Sequence, residues 1–250
     1  MAEDAILETR GLRKDFQGFL AVSDVSLRVR RGAIHGLIGP NGAGKTTVFN
    51  LLTRFLAPSA GSIHFKGREI TRERPAQVAR RGLVRSFQIS AVFPGLTVLE
   101  NVRLALQRGL GTSFHFWRPA RSLSVQDERA RALLDSVGLD AERDGRAGEL
   151  PYGRKRALEL ATTLALEPEL LLLDEPTQGM GHEDVGRVTA LIRAVAVRRT
   201  VLMVEHNLSV VADLCDRITV LARGSVLAEG SYAEVSADAR VREAYLGGAP

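Results

Sequence analysis

Cysteine, aromatic residues and long apolar runs are all scarce in this 250-residue chain. Its one cysteine, Cys215, cannot form a disulfide within the chain, which is typical of proteins from reducing compartments. The apolar run Leu170–Leu173 falls far short of the roughly 20 residues that a membrane-spanning helix needs. The first ten residues lack a basic stretch followed by an apolar one, so we expect no secretory signal. A protein that does not cross a bilayer by itself is predicted.

Positively and negatively charged residues are also nearly balanced in number. Lys and Arg number 34 against 29 Asp and Glu, a formal charge of +5, although the isoelectric point is about 9.9. Arginines crowd Arg68–Arg85 and Arg118–Arg131, but acidic residues stand among them. Aromatic residues make up 5% and form no array on which bases could stack. We therefore predict a solvated surface, or one that faces anionic headgroups, and no nucleic-acid partner.

Over the whole chain, 45% of residues are hydrophobic and 25% are charged, which is the composition of an ordinary globular protein. Short β-rich runs alternate with helical ones such as Lys45–Arg54 and Asp184–Val197, which predicts an α/β fold with a mainly parallel sheet. The predicted strands of this sheet are Ile34–Ile38, Leu83–Phe87, Leu170–Asp174, Thr200–Val204 and Arg217–Leu221.

Two regions interrupt this alternation. Ile6–Thr9 and Val25–Val29 predict a small antiparallel β subdomain at the N-terminus. Residues from about 89 to 166 contain helical patterns, Gln126–Ser136 and Gly153–Leu166, and no convincing strand. We predict a helical insertion subdomain there, with a Gly-, Ser- and Arg-rich loop at Gly109–Ser124.

A phosphate-binding loop follows the first predicted parallel strand and precedes a helix. The loop consists of Gly39, Pro40, Asn41, Gly42, Ala43, Gly44, Lys45 and Thr46, with Thr47 next in the helix. Glycines allow successive backbone N–H groups to face phosphate oxygens, and the helix N-terminus adds positive potential. The motif predicts that Lys45 reaches the β- and γ-phosphates of ATP and that the Thr46 hydroxyl binds Mg²⁺.

An acidic pair, Asp174 and Glu175, ends the predicted strand Leu170–Asp174. The carboxyl ends of parallel strands meet at one sheet edge, so this pair is expected beside the phosphates. Asp174 is placed to hold the Mg²⁺ shell, and Glu175 to orient or deprotonate an attacking water.

The chain resembles the ATP-binding subunits of ABC transporters, with the phosphate loop, Gln88, Tyr152-Gly153, Asp174-Glu175 and His206 in that family's order. The resemblance covers essentially all of residues 1–250 and implies one ABC ATP-binding domain with the P-loop NTPase fold. It implies that Gln88 touches the metal and water, and that His206 contacts the γ-phosphate. Catalytic roles thus fall to Lys45, Gln88, Glu175 and His206, and Mg²⁺ ligation to Thr46, Gln88 and Asp174.

Two features of the site are less regular. The resemblance implies that Phe16 stacks on adenine, the alternative being a buried core phenylalanine. The segment that should bind the partner subunit's ATP is also altered, and reads Pro151, Tyr152, Gly153 and Arg154 after Leu150. Pro151 offers no hydroxyl, and Gly181 stands where many relatives carry aspartate. These departures favour a heterodimer with one competent and one slower site.

The tail Val241–Gly247 resembles the end of ATPases from branched-chain amino acid importers. The resemblance implies a second ATPase subunit, two membrane permeases, an extracytoplasmic solute-binding protein, and a peripheral location on the cytoplasmic face of the membrane. Alternatives are an importer of urea or amides, a lipopolysaccharide exporter, or a non-transport ABC ATPase acting on ribosomes or DNA. Phe114–Trp117 could contact a permease or pack within the helical insertion.

Overall fold

The computed structural model describes residues 4–86, 92–107 and 126–246 of the chain. These residues form two compact units. The core unit comprises Met1–Arg85, Glu169–Gln178 and Ile192–Pro250, and the helical unit comprises Ser86–Pro168 and Gly179–Leu191. In the part of the chain that is described, no helix is both long and apolar enough to span a membrane.

The described residues form eleven strands and nine α-helices. The strands are β1 (Ala5–Phe16), β2 (Phe19–Val25), β3 (Arg28–Arg30), β4 (Ile34–Ile38), β5 (Ala60–Phe65), β6 (Arg68–Glu69), β7 (Leu83–Arg85), β8 (Leu170–Asp174), β9 (Thr200–Val204), β10 (Arg217–Ala222) and β11 (Ser225–Gly230). The helices are α1 (Lys45–Leu52), α2 (Pro75–Arg80), α3 (Val98–Gln107), α4 (Asp127–Ser136), α5 (Tyr152–Leu164), α6 (His182–Ala196), α7 (Leu208–Leu214), α8 (Tyr232–Ala237) and α9 (Ala239–Leu246).

The core unit contains two sheets. The larger has the order β11-β10-β4-β9-β8-β7, and all its neighbours are parallel except the antiparallel pair β10–β11. Strands β4, β8 and β9 are apolar along almost their whole length and buried, as expected of strands covered on both faces. Their bounds are those that the sequence predicts.

The smaller sheet is antiparallel, with the order β2-β1-β5-β6 and β3 paired to β1. The sequence predicts Val25–Val29 as one strand, but that segment is divided between β2 and β3. The Thr9 hydroxyl donates to Val25 O (2.9 Å) and accepts from Leu27 N–H (2.8 Å), so it supplies the hydrogen bonds that the interrupted ladder lacks.

One apolar cluster joins both sheets around α1. Phe49 and Leu52 of α1 are fully buried in the same cluster as Leu7 of β1, Leu37 of β4 and Leu172 of β8. Burial of these large side chains, at about 1.5–3 kcal/mol each, fixes α1 on the larger sheet. The loop before α1 is thereby held at the carboxyl edge of that sheet.

Candidate nucleotide-binding and hydrolysis site

The carboxyl ends of three adjacent strands build the site. Strands β4, β9 and β8 are neighbours in the larger sheet, and all three run parallel. The phosphate loop follows β4, His206 lies two residues after β9, and Asp174 and Glu175 lie at the end of β8. The order of the sheet therefore brings together groups that are far apart in the sequence.

Two glycines of the loop are required by close backbone approaches. A Cβ on Gly39 would lie 2.1 Å from Leu221 O, and one on Gly44 would lie 2.7 Å from Ala21 O. Both residues also have positive φ, 150° and 98°. Since a side chain is strained and obstructed at both positions, the loop depends on glycine there.

Lys45 is the first residue of α1, and its side chain contacts the backbone of the phosphate loop. It is buried, and its Nζ donates hydrogen bonds to Gly39 O (2.6 Å) and Pro40 O (2.9 Å). Burial lowers the pKa of Lys45, and the nearby carboxylates of Glu175 and Asp174 oppose that decrease. The Lys45 ammonium group is thus held at the N-terminus of α1, where the triphosphate is expected to bind.

Glu175 is held in an unusual backbone conformation. Its φ is 48°, a left-handed value that is sparsely populated by residues other than glycine. Its N–H donates to Val204 O at 2.9 Å, and its Oε1 lies 2.8 Å from Nε2 of His206. Strain of this kind persists where the surroundings fix the residue, and it is concentrated at functional sites.

Glu205, to which sequence reasoning gave no role, holds the backbone around Glu175 and His206 in place. Its carboxylate is buried and accepts from the backbone N–H groups of Thr177 (2.9 Å), His206 (2.8 Å) and Asn207 (3.0 Å). One side chain therefore fixes both the turn after Glu175 and the backbone of His206. Its position next to His206 was the only signal available in the sequence.

Asp174 is paired with an arginine. Arg85, at the end of β7, donates to the carboxylate of Asp174 and, at 2.6 Å, to Oδ1 of Asn50 in α1. The Arg85 and Asp174 side chains are only 12% and 10% exposed. Sequence reasoning assigned Asp174 to Mg²⁺ and gave Arg85 no role.

Lys45, Glu175 and His206 line a cleft of about 540 Å³ in the core unit, whereas Asp174 is not among its lining residues. Its lining includes most of the predicted loop together with the predicted base and histidine. The lining residues are Phe19, Leu20, Ala21, Asn41, Gly42, Ala43, Gly44, Lys45, Thr46, Thr47, Glu175, His206, Arg223 and Gly224. Sequence reasoning missed Arg223, an exposed basic residue in the β10–β11 turn, because nothing in a turn sequence points to phosphate.

The aromatic residue in the cleft is Phe19 rather than Phe16. Phe16 ends β1, directly opposite Phe19 in the β1–β2 hairpin, and it is not among the lining residues. Phe16 is 42% exposed, with Nζ of Lys14 at 5.0 Å from its ring centre, and so is not a buried core residue either. Phe19 is 70% exposed.

The altered segment at Pro151 begins a helix of the helical unit. Pro151 is the N-cap residue of α5, and Tyr152 and Gly153 begin its first turn. The charge of Arg154 is compensated within the unit, because Arg154 donates to Gly138 O (2.6 Å) and pairs with Glu142 (3.1 Å).

Three predicted features, among them the loop Gly109–Ser124, lie outside the described residues. The other two are Gln88, predicted to contact metal and water, and the aromatic group Phe114–Trp117 within that loop. All three stay predictions.

Comparison with known proteins assigns this site to a family. Residues 22–178 match the ABC transporter family, and residues 225–250 match the branched-chain amino acid ATP-binding cassette transporter family. The chain is 39% identical to the high-affinity branched-chain amino acid transport ATP-binding protein BraF of Pseudomonas aeruginosa, over 97% of this chain and 98% of the relative. It is 36% identical to LivG of Escherichia coli, over 97% and 98%.

Solved structures agree with this assignment. A crystal structure of an ATP-binding cassette of an ABC transporter in its ADP conformation has a TM-score of 0.86 and 30% identity, covering 97% of this chain and 99% of that one. A nucleotide-free ATP-binding cassette from an ABC transporter has a TM-score of 0.84 and 29% identity, over 96% and 98%.

Proposed function

The chain belongs to the ABC transporter family of ATP-binding proteins, and from this membership we propose that it hydrolyses ATP to drive an importer of branched-chain amino acids. The observation that carries the proposal is the contact between Glu175 and His206 in the cleft that also contains Lys45. Full-length similarity to named transport subunits supports the choice of an importer.

The reaction requires a cation for the phosphates and a base for water. Lys45 exchanges its hydrogen bonds with Gly39 and Pro40 for phosphate oxygens, and loop N–H groups hold the developing charge. Glu175 orients the attacking water and accepts its proton, while His206 fixes the carboxylate and contacts the γ-phosphate. Phe19, which lines the cleft, is better placed than Phe16 to stack on adenine.

The residues fit a magnesium ion. Mg²⁺ prefers oxygen ligands and keeps several waters, so a hydroxyl, a carboxylate and the nucleotide phosphates suffice. Thr46 lines the cleft, and Asp174 directly precedes Glu175. When bound, Mg²⁺ would supply positive charge that offsets the negative charge of the phosphates. Thr46 and Asp174 would hold it, with Gln88 as a further ligand.

Transport requires partners. We propose a second ATPase subunit, two membrane permeases and an extracytoplasmic solute-binding protein, with this chain attached to the cytoplasmic face of the membrane through the permeases. The segment Pro151–Arg154 would complete the partner's ATP site. Because Pro151 offers no hydroxyl and Arg154 is ion-paired, that site is expected to turn over more slowly than the one containing Glu175.

Uptake of labelled leucine, isoleucine and valine tests the transport proposal. Cells that lack this chain should lose uptake of all three, wild-type chain should restore it, and Lys45→Ala should not. Retained uptake, or loss of urea uptake in its place, would contradict the assigned solute.

Co-purification tests the class of protein. A tagged chain from solubilised membranes should bring down two permease polypeptides and a second ATPase, and Lys45→Ala should bring down the same set. Recovery of ribosomes or DNA in place of permeases would overturn the proposal.

A further inference from the structure

The turn between β10 and β11 brings a basic residue to the nucleotide cleft. Arg223 and Gly224 form this two-residue turn, between the paired strand residues Ala222 and Ser225. Both turn residues have positive φ, 49° and 79°, as a type I′ hairpin turn requires. Both also line the cleft that contains Lys45.

The turn is fixed to the phosphate loop and to β2. The N–H of Gly224 donates to Ala43 O at 3.1 Å, and its carbonyl oxygen accepts from the N–H of Ser23 at 2.7 Å. The Ser225 hydroxyl donates to Ser23 O at 3.2 Å. A Cβ on Gly224 would lie 2.8 Å from Ala21 O, so the turn has no room to shift toward β2. The residue before Gly224 is consequently held beside the loop.

The backbone conformation at Arg223 does not favour arginine. The first central position of a type I′ turn prefers asparagine, aspartate or glycine, because other residues are strained at positive φ. Arg223 is exposed, and its guanidinium makes no hydrogen bond or ion pair with another residue that the structure describes. The fold of the turn therefore does not explain the arginine. Strained residues of this kind are concentrated at functional sites.

A second turn of the core unit has the same backbone pattern and a different use for its charge. Lys66 and Gly67 join β5 to β6, and their φ values are 53° and 74°. Lys66 pairs with Glu169, and it is not among the residues that line the cleft. Of these two basic turns, the one that contains Arg223 borders the nucleotide site.

We propose that Arg223 binds the phosphate groups of the nucleotide, in addition to Lys45 and the N–H groups of the loop. A guanidinium presents several N–H donors and forms charge-assisted hydrogen bonds with phosphate oxygens. Arg223 lies on the side of the cleft that β2 and the β10–β11 turn form, whereas Lys45 begins α1. Two cations on different elements thus hold the phosphates. The proposal rests on the ATP site of the proposed function, but not on which solute is transported.

Replacement of Arg223 by asparagine separates binding from folding. Asparagine suits a type I′ turn, so Arg223→Asn should keep or raise the melting temperature. The dissociation constant for ATP should nevertheless rise roughly five- to thirtyfold, because a hydrogen bond from a charged donor is lost. Arg223→Lys keeps the charge and should lose less affinity.

Lys66→Asn is the matched control. It removes one positive charge from a turn of the same backbone conformation, away from the cleft. Because salt screens exposed charges over distance, its dissociation constant for ATP should stay within about twofold of wild type.

Inorganic triphosphate tests which part of the nucleotide Arg223 contacts. This probe has the phosphate chain without base or ribose, and it should displace a fluorescent ATP analogue from the full chain. Arg223→Asn should weaken the binding of inorganic triphosphate by the same factor as that of ATP.

The outcomes separate this proposal from the proposed function. If the wild-type chain fails to bind ATP, the proposed function fails. If wild type binds but Arg223→Asn binds equally well, the role of Arg223 is overturned. Equal weakening by Lys66→Asn would also overturn it, because it would show a general effect of charge. Unchanged binding of inorganic triphosphate would do the same, since it would place Arg223 at the base or ribose.

Discussion

Nε2 of His206 lies 2.8 Å from Oε1 of Glu175, which joins the ends of two neighbouring parallel strands by a side-chain hydrogen bond. The geometry does not arise from these two residues alone. Glu205 holds the backbone of His206, and Val204 O accepts the N–H of Glu175. The carboxylate that faces the cleft is therefore fixed at both its backbone and its side chain.

Loss of the histidine should reduce hydrolysis more than binding. His206→Ala frees the Glu175 carboxylate, so kcat of the assembled complex should fall by about 10²-fold, near the lower range for a positioned acid–base group. His206→Gln keeps a donor and should recover part of the rate. A fluorescent ATP analogue should bind all three forms within a few-fold. Equal turnover in His206→Ala and wild type would remove the histidine from the mechanism.

Neutralising the base should leave a complex that binds ATP and does not turn it over. Glu175→Gln keeps the shape of the side chain but cannot accept a proton, so single-turnover hydrolysis should fall by roughly 10²–10⁴-fold. The same preparation should keep the wild-type affinity for ATP. Turnover close to wild type would show that another group acts as the base.

The Arg85–Asp174 pair should contribute to stability. Both side chains are nearly buried, so Arg85→Met leaves a carboxylate without its counter-ion and should cost roughly 3–5 kcal/mol of unfolding free energy. Arg10→Met, which breaks an exposed pair with Glu8, is the control and should change far less. Urea denaturation measures both, and equal losses would assign the effect to arginine removal in general.

His35 should make the protein sensitive to acid. Burial, with smaller effects from Arg217 and Arg30, lowers the pKa of His35 to about 4. Because the unfolded chain takes up this proton near pH 6.5, stability should fall as pH drops from about 6.5 to 4, by about 3 kcal/mol. His35→Gln can still bond to Thr219, whose hydroxyl lies 2.8 Å from Nε2.

The comparison of the two proteins isolates this histidine. Unfolding free energies of wild type and His35→Gln, measured by urea between pH 7 and 4, should converge as pH falls. A constant difference across this range would mean that the His35 proton is not involved.

The central sheet was predictable because burial on both faces leaves a direct mark on the sequence. Leu170–Leu173 and Val201–Val204 are continuous apolar runs, and the predicted strands that contain them match the observed ones. The loop from Gly39 to Thr46 was predictable for another reason, since close backbone approaches leave no choice but glycine at fixed spacing.

The edges of the fold were less predictable. Strand β1 runs for twelve residues through Gly11, whose φ of 55° marks an irregularity that no periodic pattern reveals. Pairing of β2 and β3 with the same strand depends on the Thr9 hydroxyl, a contact between residues distant in sequence. The family resemblance pointed to Phe16, whereas Phe19, its cross-strand neighbour in the hairpin, lines the cleft.

The left-handed backbone at Glu175 has a consequence for anyone who would engineer this protein. Glycine would adopt that conformation freely, whereas glutamate costs roughly 1 kcal/mol or more. A screen that rewards only heat resistance would therefore drift toward an inert variant at this position. At Glu175, selection for thermal stability favours glycine, whereas selection for ATP turnover favours glutamate.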